Sequence, residues 1–125
     1  MLKIVILDDS ISTCTVVKHI LNNIGYRDIT VSYSWNNCEE QLLSKIYNIA
    51  LIDIILHNVQ GITCIKKIHE IQKECKIIAM SVRSDPIIIK KAFINGANYY
   101  LSKPFEEHEL HAAIDTIIKK IININ

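Results

Sequence analysis

The chain has 125 residues, half of them apolar, and 14 basic against 13 acidic side chains for a formal net charge of +1. That length fits one domain, able to bury roughly two-thirds of the surface its unfolded chain exposes. The charge balance excludes the strongly basic footprint of a nucleic-acid or anionic-membrane binder, and the paired lysines Lys66-Lys67, Lys90-Lys91 and Lys119-Lys120 suit solvated helix faces.

The four cysteines, at 14, 38, 64 and 75, are far apart and form no Cys-x-x-Cys pair, so neither a zinc site nor a disulfide framework is indicated. They suit a reducing compartment. There is no signal-peptide layout and no apolar run long enough to span a bilayer, so a cytoplasmic location and no membrane partner are expected.

In chain order, short apolar runs alternate with longer stretches of helical periodicity, the rhythm of a parallel sheet covered by helices on both faces. Strands are predicted over residues 3–7, 29–33, 49–53, 76–81 and 99–102. The runs Ile4-Val5-Ile6-Leu7 and Ile77-Ile78-Ala79-Met80 are continuous, as strands buried on both faces should be. Ile29-Thr30-Val31-Ser32-Tyr33 alternates and reads as an edge strand.

The first helix begins near Ser10 or Thr13, carries Val16, Val17, Ile20, Leu21 and Ile24 as its apolar face, and stops at Gly25. Further helices are predicted over residues 35–46, 60–72 and 86–95. The last follows Pro104, with Leu110, Ala113, Ile114, Ile117, Ile118 and Ile121 at helical spacing. Glu106, Glu107 and Glu109 open it and Lys119 and Lys120 close it, complementing its dipole.

Three strands end in residues with phosphoryl-transfer chemistry. Asp8 and Asp9 follow the first, Asp53 closes the third, and Lys103-Pro104 follows the fifth. In an open parallel sheet the carboxyl ends of the strands share one edge, so these residues converge. Carboxylates about 4 Å apart repel by roughly 4 kcal/mol at an effective dielectric of 20, which calls for a cation. Mg²⁺ takes one or two carboxylates and keeps several waters. Asp8 and Asp9 suit metal binding, and Asp53 suits a carboxylate nucleophile that becomes an acyl phosphate. Lys103 supplies a fixed ammonium and Ser81, at the end of the fourth strand, a hydroxyl for the phosphoryl oxygens. A cis Lys103-Pro104 bond would aim the lysine inward. Each residue alone has a plain structural explanation as a cap, loop or turn residue, but their joint placement favours a site.

With Asp8-Asp9, Asp53, Ser81, Tyr100, Lys103-Pro104-Phe105 and Gly96-Ala97 in this order and spacing, the chain resembles, over essentially its full length of residues 1–125, the response-regulator receiver domain of two-component signalling. The resemblance implies a flavodoxin-like α/β fold, five parallel strands in the order 2-1-3-4-5 with helices on both faces. It implies phosphorylation of Asp53, with Mg²⁺, by the phosphohistidine of a sensor histidine kinase or phosphotransfer protein. It makes Ser81 and Tyr100 the switch pair, the hydroxyl moving toward the phosphoryl group and the ring turning inward. Asp8, Asp9, Asp53 and the Ile55 backbone carbonyl become the metal ligands, and no enzymatic activity is expected beyond the chain's own phosphorylation and dephosphorylation.

The sequence departs from the family pattern in three places. His57-Asn58-Val59-Gln60-Gly61 keeps the glycine of a Pro-x-x-x-Gly turn but has no proline, Ile55 offers no polar side chain two residues after Asp53, and Val82 after Ser81 is bulkier than the usual alanine. Ile55 and Val82 are expected to crowd water from the acyl phosphate and slow its hydrolysis. His57, a lone loop histidine, is left out of the site.

On the fourth helix Ile88, Ile89, Ala92 and Phe93 are predicted to face inward and Ile87 and Ile94 outward, beside Lys90 and Lys91. With Tyr100, these outer residues form the expected surface for a downstream partner or self-dimer, through the fourth helix, fifth strand and fifth helix. Ending at Asn125, the chain reads as a receiver alone or one excised from a longer regulator, without direct contact to nucleic acid. A constitutive pseudo-receiver that only binds protein is the rival, opposed by the complete acidic set. A haloacid-dehalogenase-type phosphatase would need Asp-x-Asp around Asp53. A flavin module would need a hydroxyl- or glycine-rich phosphate loop where Asp8-Asp9 stand.

Overall fold

The computed structural model describes residues 2–57 and 59–123; Asn58, within the expected turn, and the outermost residues of the expected 1–125 span lie outside them. Five strands, β1 (Lys3–Leu7), β2 (Asp28–Ser32), β3 (Ile49–Asp53), β4 (Lys76–Ser81) and β5 (Tyr99–Ser102), alternate with five helices. These are α1 (Ile11–Asn23), α2 (Trp35–Ser44), α3 (Gly61–Ile71), α4 (Pro86–Ile94) and α5 (Glu107–Asn123). All strands are parallel in the order β2-β1-β3-β4-β5.

The pleat sorts the apolar runs into two cores. Val5, Leu7, Ala50, Ile52, Ile77 and Ala79 face α2, α3 and α4. Ile4, Ile6, Ile49, Leu51, Ile78 and Met80 face α1 and α5. Because successive side chains point to opposite faces, a central strand covered twice must be apolar at every position, which is why β1, β3 and β4 are unbroken hydrophobic runs. The buried polar residues, Asp8, Ser32, Asp53 and Ser81, all lie at the carboxyl end of the sheet.

Local chemistry fixes the helix starts. Ser10 caps α1 by accepting from the Thr13 N–H, Ser34 caps α2, and Asp85 caps α4 with Pro86 in its first turn. Gly25 ends α1 with φ of +107°, the left-handed conformation that favours glycine.

Several boundaries and faces differ from the sequence expectation. β2 lies one residue earlier than 29–33, which leaves Tyr33 exposed, and α2 ends at Ser44 rather than residue 46. An alternating edge strand lacks the apolar run that would pin its ends. On α1 Cys14, Val17, Ile20 and Leu21 are buried, and Val16 is exposed, being about 200° around the helix from Cys14. Phe93, expected inside, is exposed; α4 meets the sheet through the small Ala92, so the larger side chains around it are incompletely covered. Glu106 precedes α5, where its N–H donates to the Glu109 carboxylate.

Candidate functional site

The carboxyl ends of β1, β3 and β5 meet because these strands are parallel and close in the sheet order. Oxygens of Asp8, Asp9 and Asp53 lie within 4.8 Å of one another. Lys103, from β5 across the intervening β4, places its Nζ 2.6 Å from Asp8 Oδ2 and 2.9 Å from Asp53 Oδ2. The Lys103–Pro104 peptide is cis, as the sequence suggested.

Each carboxylate also accepts one main-chain N–H. Ser10 donates to Asp8 Oδ1 at 2.9 Å, Ile55 to Asp53 Oδ1 at 2.8 Å and His57 to Asp9 Oδ2 at 2.9 Å. Such bonds fix carboxylate orientation and favour the charged form. Asp8 is fully buried, Asp53 nearly so, and Asp9 more open.

Burial raises the Asp53 pKa above the ordinary carboxylate value, opposed by the Ile55 N–H and the Lys103 ammonium. Burial pulls Lys103 downward, but hydrogen bonds to Asp8 and Asp53 more than offset it, so the ammonium is held above ordinary lysine. Lys103 stays charged at neutral pH. Three carboxylates against one ammonium leave the crevice anionic, and its donors are hard oxygens, a set that fits Mg²⁺. These side chains are the residues that could hold such an ion.

Ser81 is buried at the end of β4. Its Oγ accepts from the Arg83 N–H at 3.0 Å and its carbonyl accepts from the Lys103 N–H at 2.7 Å. The Tyr100 hydroxyl donates to the Arg83 carbonyl, tying β5 to the loop after β4. Ser81 and Tyr100 thus both bond to the main chain of Arg83, a link with no signature in residue spacing.

Gly61 packs so tightly behind the acidic residues that a Cβ there would lie 2.2 Å from the Ile54 Cα and 2.5 Å from the Asp53 carbonyl oxygen. The glycine lets α3 approach the end of β3. Ile55 and Val82 expose their side chains on loops that directly follow Asp53 and Ser81. A cavity of about 370 Å³ between α1 and the β5–α5 connection includes Lys103, Val82 and Phe105 in its wall.

His57, left out on sequence grounds, does reach the site. Its main-chain N–H holds Asp9 and its imidazole Nε2 stands 3.6 Å from the same oxygen. The missing proline was the available signal, since proline has no N–H to donate. The outer α4 residues are not drawn into the crevice: Ile87 and Ile94 are 68% and 71% exposed, with Lys90, Lys91 and Phe93 also exposed.

Residues 4–115 match the family model described as the response regulator receiver domain. The chemotaxis protein CheY of Treponema pallidum is 26% identical over 119 residues, covering 94% of this chain and 83% of that protein. The transcriptional regulatory protein ZraR of Salmonella typhimurium is 27% identical over 112 residues, which cover 90% of this chain but 25% of ZraR, so the chain spans about a quarter of that relative's length. Among solved structures, a two-component response regulator from Clostridium difficile superposes with a TM-score of 0.90 at 27% identity, over 97% of this chain and 98% of that one. A CheY-like receiver domain protein from Methanospirillum hungatei shares the fold with a TM-score of 0.92 at 23% identity, over the whole of both chains.

Proposed function

The chain belongs to the response regulator receiver domain family, and from that premise we propose that it is a phosphorylation-activated switch whose acceptor is Asp53. The observation that carries this reading is the Lys103 ammonium seated between Asp8 and Asp53, inside a trio of carboxylates gathered within 4.8 Å. A lone structural ion pair would need one carboxylate; three make a site for a cation and a phosphoryl group.

An Asp53 carboxylate oxygen attacks the phosphorus of a phosphohistidine on a sensor kinase or phosphotransfer protein. The bond from phosphorus to the imidazole nitrogen breaks, its electron pair returns to that nitrogen, and an acyl phosphate forms on Asp53. Lys103 exchanges part of its carboxylate contact for a phosphoryl oxygen. Asp8, Asp9 and Asp53, with the Ile55 carbonyl, would hold Mg²⁺, which when bound would neutralise charge on the phosphoryl oxygens.

The Ser81 hydroxyl, so far engaged with the Arg83 N–H, turns to the phosphoryl group, which disturbs the Arg83 main chain held by Tyr100. The new charge therefore biases the loop between β4 and α4. Downstream of it lies the exposed apolar surface of Ile87, Phe93 and Ile94 flanked by Lys90 and Lys91, which with Tyr100, β5 and α5 suits a partner protein or a second copy. The chain carries no enzymatic activity apart from its own phosphoryl chemistry. No helix among the described residues is long and apolar enough to cross a membrane, and free buried thiols suit the reducing cytoplasm.

The test is incubation of the purified protein with Mg²⁺ and beryllofluoride or acetyl phosphate. Intact mass, Trp35 fluorescence and oligomeric size are followed, with Asp53→Asn as control. A response requiring both Mg²⁺ and Asp53 is expected. No response to beryllofluoride would replace this reading with that of a constitutive protein-binding pseudo-receiver.

A further inference from the structure

Between Ser81 and the start of α4, Arg83 is held at three points. Its N–H donates to Ser81 Oγ at 3.0 Å, its carbonyl accepts from the Tyr100 hydroxyl, and its guanidinium Nη2 donates to Asp85 Oδ2 at 3.2 Å. Asp85 is the residue that caps α4. Its Oδ1 accepts from the Ile88 N–H at 3.2 Å and its carbonyl from the Ile89 N–H at 3.2 Å. One planar carboxylate thus meets the helix with one oxygen and Arg83 with the other, so displacing the guanidinium turns the plane on which the cap bond depends.

Resting on the reading that the Ser81 hydroxyl leaves Arg83 for the phosphoryl group, we propose that Arg83 is a positioning residue whose side chain carries that change to α4 by loosening the Asp85 cap on Ile88. The competing route is the main chain itself, through the exposed Ser84. The Arg83 and Asp85 side chains are 62% and 42% exposed, so their pairing is worth no more than about fivefold in an equilibrium and is screened by salt. The effect on α4 is therefore graded, and it falls on the turn that presents Ile87, one end of the outer apolar surface. A packing contact would carry no such salt dependence.

Amide hydrogen exchange, read by NMR on the whole chain in Mg²⁺ with and without beryllofluoride, tests this. The Ile88 N–H reports the cap, and the Ile55 N–H, which donates to Asp53 Oδ1, reports occupation of Asp53. In wild type, beryllofluoride is expected to shift the Ile55 signal and to speed Ile88 exchange by about threefold to fivefold. Arg83→Ala keeps the N–H and carbonyl, and should still shift Ile55 while bringing the Ile88 ratio close to one. Asp85→Asn, which retains an oxygen for the cap, should do the same, as should salt of about 1 M, where the Debye length is about 3 Å. Arg83→Lys should restore most of the ratio. An Ile88 ratio unchanged in Arg83→Ala overturns the proposal and assigns the coupling to the main chain through Ser84. A ratio of one in wild type with Ile55 shifted also overturns it, while leaving the switch at Asp53 intact. No Ile55 shift in wild type overturns the proposed function as well.

Discussion

Lys103 Nζ donates to Asp53 Oδ2 at 2.9 Å across 50 residues of sequence, and at 2.6 Å to Asp8 Oδ2, so one ammonium links the ends of three strands. Truncating it strands two buried carboxylates. Lys103→Ala is expected to lower stability by about 3 kcal/mol in chelator at neutral pH, measured by urea unfolding, with saturating Mg²⁺ restoring more stability than it adds to wild type. Equal unfolding midpoints would mean that the bridge contributes nothing to the fold.

Asp9 behaves oppositely, because it adds a third negative charge without a lysine contact while its hydrogen bond from His57 would survive in asparagine. Asp9→Asn should raise stability by about 1 kcal/mol in chelator. The stabilisation by Mg²⁺ seen in wild type should be largely lost. Thermal scans with and without Mg²⁺ decide it; a variant less stable than wild type in chelator would show that repulsion among the three carboxylates is outweighed by what Asp9 holds in place.

Gly61 has no room for a methyl group, its nearest neighbours being main-chain atoms of Ile54 and Asp53 that cannot swing aside. Gly61→Ala is expected to cost about 2–3 kcal/mol and to weaken Mg²⁺ binding by displacing the end of β3. Retention of both wild-type stability and Mg²⁺ affinity would count against this coupling.

Ile55 and Val82 expose apolar side chains beside Asp53 and Ser81, where an attacking water must be oriented. The acyl phosphate should therefore be long-lived, and Ile55→Asn and Val82→Ala should each shorten its half-life severalfold in Mg²⁺, followed by loss of the phosphoryl mass. A wild-type half-life of seconds would remove the idea.

Burial pushes the thiols of Cys14 and Cys64 up to about 11 and those of Cys38 and Cys75 up to about 12, from an ordinary 9.0. The native protein should resist iodoacetamide at pH 8, whereas all four cysteines react in urea. Because the unfolded thiols ionise first, their contribution to stability is full below pH 9 and is lost as pH rises toward 12. Rapid labelling of the folded protein would contradict this.

The acidic site was legible because three of the strands run into charged residues, at Asp8, Asp53 and Lys103, and parallel strands put those stops on one edge. Asp8, Asp53 and Lys103 needed no more than that. His57 escaped because its bond to Asp9 uses the main chain, whose direction residue type does not report. Val16 and Phe93 were misplaced because hydrophobicity marks what a helix is able to bury, whereas the neighbour across the interface decides what it does bury. On α4 that contact centres on Ala92, too small to bring Phe93 under cover.

Asp8 and Lys103 meet across 95 residues, and the strand that delivers the lysine has four residues and one neighbour, β4. The pairing of the ammonium with the acids therefore depends on an edge strand held to the sheet on one side alone. With β5 undocked, the acids at the ends of β1 and β3 would stand together without their ammonium. Fraying of that short edge would withdraw the ammonium from the acidic crevice without unfolding the domain.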